Sequence, residues 1–160
     1  MAKAEEKTNV MRLLDQKKVK YTGHHYEAPN GAVDGVSVAA AVGKDVSQVF
    51  KTLVTRGASK KNYVFVVPVA MELDLKAAAK AAGEKSIEMI RQAELLPLTG
   101  YVHGGCSPLG MKKQFPTFMD APAQEQETMM VSAGKIGAQV ELKPADLATL
   151  ARARFAPVAK

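Results

Sequence analysis

The chain has a single cysteine, Cys106, in 160 residues. That excludes a framework of intramolecular disulfides and fits a reducing compartment. Aromatic residues are scarce at 6%, and no stretch interleaves them with basic residues as a stacking platform for single-stranded nucleic acid would. Long apolar runs are lacking as well. The longest aliphatic stretch, Val64 to Met71, is broken by Pro68 and is too short to span a bilayer. Glu5 and Glu6 precede the first apolar residues, so the N-terminus has no signal-peptide pattern. A cytoplasmic protein without membrane contact is the expectation. No repeat, low-complexity tract or long linker divides the sequence, and residues 1–160 are expected to form a single domain.

What is present begins with charge. Lys and Arg number 22 against 16 Asp and Glu, a net +6. This excess permits a polyanionic partner without demanding one. Lys17–Lys18, Lys60–Lys61 and Lys112–Lys113, with Arg152 and Arg154, could follow a phosphate backbone or simply face solvent.

Thr8 or Asn9 is placed to cap a first helix bearing Val10, Leu13 and Leu14. Tyr21 to Tyr26 alternates like a strand. Ser37 precedes a short helix over Val38–Val42 that Gly43 closes. Val46–Thr55 and Tyr63–Val69 predict a buried hairpin around the polar segment 56–62. Asp74 to Ala82, ending at Gly83, predicts a helix. Further β segments are expected near Gly100–His103, Thr128–Ser132 and Gln139–Leu142, and Pro144 opens a final helix to about Arg154. Short strands outnumber long helices, which predicts an α+β fold around a mixed or antiparallel sheet.

Four features could carry chemistry. Lys51 interrupts a segment otherwise rich in Val, Leu and Phe, so it is either a solvated lysine at a strand edge or a cleft lysine that orients an anion or polarises a carbonyl. Gly104, Gly105, Cys106, Ser107 and Pro108 form a glycine loop whose amides could hold a carbonyl, carboxylate or phosphate, or merely bend the chain. It lacks the spacing of a P-loop, a dinucleotide fingerprint or a hydrolase elbow. Cys106 could act as a nucleophile with His103, His24 or His25, or join them as a metal ligand, or pack as a small apolar residue; the paired Cys-x-x-Cys of a zinc site is absent. Ser132-Ala-Gly134 is a third glycine turn, either plain turn chemistry or a ligand loop.

Taken in order, Phe50-Lys-Thr-Leu-Val54, Leu75-Lys-Ala-Ala-Ala-Lys-Ala-Ala-Gly83, Gly100-Tyr-Val-His-Gly-Gly-Cys-Ser-Pro-Leu-Gly110 and Val131-Ser-Ala-Gly-Lys135 resemble the YbaK/EbsC family. This is the Cys-tRNA(Pro)/Cys-tRNA(Cys) deacylase branch of the prolyl-tRNA editing-domain superfamily. The resemblance runs from about residue 10 to about residue 155. It implies a compact α+β domain that cleaves the ester between a misattached amino acid and tRNA, without metal or other cofactor. It implies aminoacyl-tRNA as partner, and prolyl-tRNA synthetase as a second one. It assigns the essential lysine to Lys51, with Tyr26, Thr52, Gly104, Gly105, Cys106, Ser107, Pro108, Ser132 and Gly134 around the substrate. Family members often carry two glycines where this chain has Ala133-Gly134, and they require no thiol at position 106. An Ala-tRNA(Pro) deacylase of the same fold and a non-catalytic tRNA- or synthetase-binding module are the alternatives.

Overall fold

The first three α-helices of this chain start where a short polar side chain takes the first free backbone N–H groups. Thr8 accepts from the Met11 N–H and opens α1, Asn9–Gln16, which buries Val10, Met11 and Leu14. The structure, a computed structural model, describes residues 7–31 and 33–160. β1 comes next at Thr22–His25. α2 covers Gly35–Val42, three residues longer than the sequence predicts, because Asp34 and not Ser37 is the cap. The Asp34 carboxylate accepts from both the N–H and the hydroxyl of Ser37, each at 2.9 Å. Asp45 likewise caps a 3-10 turn over Val46–Gln48. The strand expected from Val46 therefore begins later, as β2, Phe50–Gly57.

β2 and β3, Asn62–Pro68, form the predicted hairpin in antiparallel register, Lys51 opposite Val67 and Thr52 opposite Val66. α3 runs over Leu75–Ala82 from an Asp74 cap to Gly83. Then come two elements that the sequence does not advertise, β4 at Ile87–Met89 and α4 at Gln92–Thr99. The β segment expected at Gly100–His103 is instead a loop. Gly100, at φ 86°, ends α4 with its N–H on the Leu96 carbonyl, and no neighbouring strand pairs with residues 101–103.

β5, Thr117–Asp120, is short and buried throughout. β6 (Met129–Ser132) and β7 (Ala138–Leu142) lie where expected. α5 spans Pro144–Ala151, shorter than predicted, because Arg152 turns left-handed at φ 54° and caps it. β8, Ala153–Ala156, then joins the sheet.

The sheet orders are β4-β2-β3-β5-β8 and β1-β7-β6. β2 and β3 are antiparallel, whereas β3, β5 and β8 run parallel. The fold is thus α+β with a mixed central sheet, as the sequence predicts. α1 and α5 bury their apolar faces with β6 and β7 against Phe50, Val66 and Met119. On the other face of the large sheet α3 packs over Tyr63, Phe65 and Val67, and the Phe65 and Phe118 rings stack at 5.4 Å. Ala39 of α2 sits with Val49 and Met130 where the two sheets meet. Among the described residues, no helix is long and apolar enough to cross a membrane.

Candidate functional site

β2 changes partner along one edge. Its C-terminal residues Thr55, Arg56 and Gly57 pair with β4. Just ahead of β2, Val49 bridges Met130 of β6 in parallel fashion. Among the described residues, no strand lies beside residues 50–54 on that side, between these two partners. Antiparallel pairing alternates which residues address which neighbour. Val49 accepts from the Val69 N–H and Gly57 donates to the Lys61 carbonyl, so odd-numbered residues face β3. Val54, an even position, accepts from the Ile90 N–H on the opposite edge at 3.4 Å. The N–H and C=O of Thr52 therefore open into the gap.

A cleft of about 360 Å³ lies along this gap. Lys51, Thr52 and Leu53 border it from β2, Gly35 and Val36 from the start of α2, and His103, Gly104 and Cys106 from the glycine loop. Tyr26 at the end of β1, Ser132 of β6 and Gln139 of β7 complete it. The two sheets thus each contribute one wall. α2 can roof the cleft only because residue 35 is glycine: a Cβ there would lie 2.4 Å from the Cβ and Cγ1 of Val69.

The glycine loop is held before any ligand arrives. The Tyr101 hydroxyl donates to the Leu109 carbonyl at 2.5 Å, tying the two ends of the loop. Gly105 donates to the Val102 carbonyl, and Ser107 accepts the Leu109 N–H. Gly104 takes φ 88°, a left-handed conformation that glycine adopts without strain. Among the described residues the N–H groups of Gly104 and Cys106 have no hydrogen-bond partner.

Lys51 is half-buried and forms no ion pair among the described residues. Cys106 and His103 both border the cleft, yet no hydrogen bond joins them. The thiol is 8% exposed, and burial pushes it up to about 12. It is a packed apolar group against Val54, Val64 and Phe115. Among the described residues no three His, Cys, Asp or Glu side chains gather as metal ligands would. His24 instead bonds Glu141 at 2.8 Å.

Six of the ten residues that the resemblance assigns therefore meet at the cleft, Tyr26, Lys51, Thr52, Gly104, Cys106 and Ser132, and His103 joins them. Four do not border it. Ser107 is fully buried beneath the loop and Pro108 is buried beside it. Gly105 packs against the turn 135–136, where a Cβ would stand 3.0 Å from the Ile136 nitrogen. Gly134, at φ 93°, lies under the Tyr101 ring and Val10. These four shape the wall from behind.

One residue at the cleft escaped sequence reasoning. Gln139 is 5% exposed, and among the described residues its side-chain oxygen has no hydrogen-bond partner; the buried Thr52 hydroxyl has none there either. The signal existed in the alternation of Gln139 and Glu141 with Ala138, Val140 and Leu142, which puts two polar side chains on one face of β7. Glu141 lies farther along that face. Burial alone would raise its carboxyl, but hydrogen bonds from Thr128, His24 and Lys44 outweigh burial and hold it below its ordinary value. This network links β1, β7 and the residue beyond α2, and so fixes the roof relative to the floor.

Fold and cleft together present an unpaired strand edge beside a preformed loop, a space of a size and polarity to suit a small polar group. The chain belongs to the aminoacyl-tRNA editing domain family, whose model matches residues 31–150. It is 44% identical over 156 residues, 98% of this chain and 95% of the relative, to an Enterococcus faecalis protein named as a candidate Cys-tRNA(Pro)/Cys-tRNA(Cys) deacylase, EbsC. A crystal structure described as a candidate trans-editing enzyme for prolyl-tRNA synthetase superposes with a TM-score of 0.80 at 25% identity, covering 97% of this chain and 99% of the other. A hypothetical protein of the same fold gives a TM-score of 0.86 at 22% identity, over 96% and 100% of the two chains.

Proposed function

We propose that this protein is a trans-acting aminoacyl-tRNA deacylase that removes cysteine from Cys-tRNA(Pro), and from Cys-tRNA(Cys), in the cytoplasm, with its whole length forming the editing module. The observation that carries the reading is the cleft at the β2 gap, in which Lys51, Thr52, Gly104 and Cys106 border one space. Near-full-length similarity to a protein named for this activity supports the choice of substrate. Likeness to a structure described as working for prolyl-tRNA synthetase supports that synthetase as a partner that delivers the tRNA.

The chemistry asks little of the protein's own side chains. The substrate cysteine carries a thiol with an ordinary pKa of about 8.5, so roughly a tenth is thiolate at pH 7.5. That thiolate attacks its own ester carbonyl. The bond from carbonyl carbon to ribose oxygen breaks, the ribose oxygen takes a proton, and the products are free tRNA and a cyclic thiolactone. The protein must hold the thiolate and carbonyl together and stabilise the oxyanion between them. We assign the oxyanion to the Gly104 and Cys106 amides; one such preorganised donor is typically worth ~10²–10³ in rate. Lys51 holds the terminal adenosine or the aminoacyl carbonyl, and Tyr26, Thr52 and Ser132 line the pocket. Cys106 contributes shape. Gly105, Ser107, Pro108 and Gly134 set the loop and turn geometry.

The test is release of labelled amino acid from Cys-, Ala- and Pro-tRNA(Pro) by the purified protein. Rapid release of cysteine alone is expected. Release of alanine instead would make it an Ala-tRNA(Pro) deacylase, and release of none would leave a binding module.

A further inference from the structure

Around the cleft, Ser132 accepts the Gly134 N–H, and behind it His24, opposite Gln139 on β1, is engaged by Glu141. Among the described residues, two buried side-chain atoms have no partner. The Gln139 side-chain oxygen and the Thr52 hydroxyl are both buried and unpartnered, and both residues border the cleft. A buried polar atom without a partner is costly to the fold, so two on residues that border one cleft call for an explanation. The Thr52 carbonyl, turned into the β2 gap, is a third acceptor at the same place.

On an aminoacyl ester the available donors differ in number. A ribose hydroxyl has one hydrogen to give and a thiol has one weak one, whereas an α-ammonium has three N–H bonds. Three acceptors on two residues that border one space match the ammonium in number. We propose that Gln139, together with Thr52, receives the free α-ammonium group of the aminoacyl ester, so that the cleft takes unblocked aminoacyl-tRNA and rejects N-acylated esters such as formyl- or peptidyl-tRNA. An acylated nitrogen keeps one N–H and adds bulk at a residue that is 5% exposed. An editing enzyme built this way leaves initiator and nascent-chain tRNAs intact. The proposal rests on the deacylase reading above.

The test is a double cycle of protein and substrate. Cys-tRNA(Pro) and N-acetyl-Cys-tRNA(Pro) are each presented to wild type, Gln139→Met and Thr52→Val, and kcat/KM is measured, with folding checked by circular dichroism. Gln139→Met keeps length and removes the acceptor, and Thr52→Val keeps shape and leaves the backbone carbonyl. Wild type should prefer the free amine ~10-fold or more, and each variant should lose much of that preference by failing on the free-amine substrate alone. Equal preference in wild type and in the folded variants would overturn the amine site while the deacylase reading stands. Inactivity of wild type on Cys-, Ala- and Pro-tRNA alike would overturn both. If Gln139→Met fails to fold, Thr52→Val carries the comparison.

Discussion

Cys106 is the residue on which two mechanisms part. It sits in the glycine loop three residues from His103, the arrangement of a protein nucleophile and its base. Its surroundings give the opposite answer. With the thiol raised to about 12, the thiolate fraction at pH 7.5 is about 3 × 10⁻⁵, against about 0.1 for an ordinary thiol on the substrate. The substrate thiolate is thus favoured about 3,000-fold in population before geometry is considered. Cys106→Ala should therefore retain most of the deacylase activity. The loss of one sulfur atom from a cluster with Val54, Val64 and Phe115 should cost about 1 kcal/mol, or a fall of about 2–4 °C in Tm.

The assay is initial-rate deacylation of Cys-tRNA(Pro) and Ser-tRNA(Pro) from pH 6 to 9, by wild type and by Cys106→Ala. Both proteins should show the same rising limb toward about 8.5, set by the substrate thiol. Ser-tRNA should react poorly with either, because an alcohol is scarcely ionised in this range. A folded Cys106→Ala that binds tRNA yet fails by orders of magnitude would refute the argument, as would rapid hydrolysis of Ser-tRNA by wild type.

Lys51→Ala should abolish deacylation while leaving Tm nearly unchanged, since the amine forms no ion pair whose loss would weaken the fold; wild-type turnover in this variant would remove Lys51 from the site. Gly35→Ala sets a methyl against Val69 at 2.4 Å, so the start of α2 must lift, and stability should fall by about 1–3 kcal/mol with a raised KM, both read from denaturant melts and kinetics. Glu141 is held below its ordinary value of 4.5 in the folded state. Its contribution to stability is present above that value and is lost as pH falls through the lower folded value. Glu141→Gln should accordingly be less stable than wild type at pH 7, the difference shrinking below pH 4.5, and melts that keep a constant gap across this range would count against the network.

The sequence was legible where one residue type settles a local choice. Gly83 marked a helix end and the pair Thr8 or Asn9 contained the first cap, and the β2–β3 hairpin was readable from two runs rich in valine, leucine and phenylalanine separated by a polar turn. It was less legible where two caps compete. Ser37 looks like a cap in isolation, but Asp34 accepts two bonds from it and starts the helix earlier. It was silent where tertiary pairing alone makes the strand: β4 is three residues long, and β8 exists because β5 lies beside it. At the site, Lys51 and the glycine loop stood out by composition. Gln139 did not, because a polar residue on a strand ordinarily faces water, and its burial at 5% exposure follows only from the tertiary fold.

The position of Lys51 derives from the same edge. A strand edge without a partner is a hazard, since it invites pairing with another chain. Here it is limited to residues 50–54 by β6 at one end and β4 at the other, so a strand from outside would meet both ends blocked. A small ligand meets no such obstacle. It gains backbone donors and acceptors that the hydrogen-bonded hairpin behind them holds rigid. β4 also explains why the gap stops where it does. Were it to continue past Ile90, it would pair with Thr52 and consume the carbonyl and N–H that the cleft presents. The Ile90 bond to Val54 is long, at 3.4 Å, and Arg91 already turns out to cap α4. Glu94 enforces that turn: it accepts the Arg91 N–H and bonds Arg56 of β2, and the Arg56 guanidinium is the leading cause holding its carboxyl down to about 2. The pairing that anchors β4 on β2 and the turn that ends it share one side chain, and the open stretch of β2 beside Lys51 is the result.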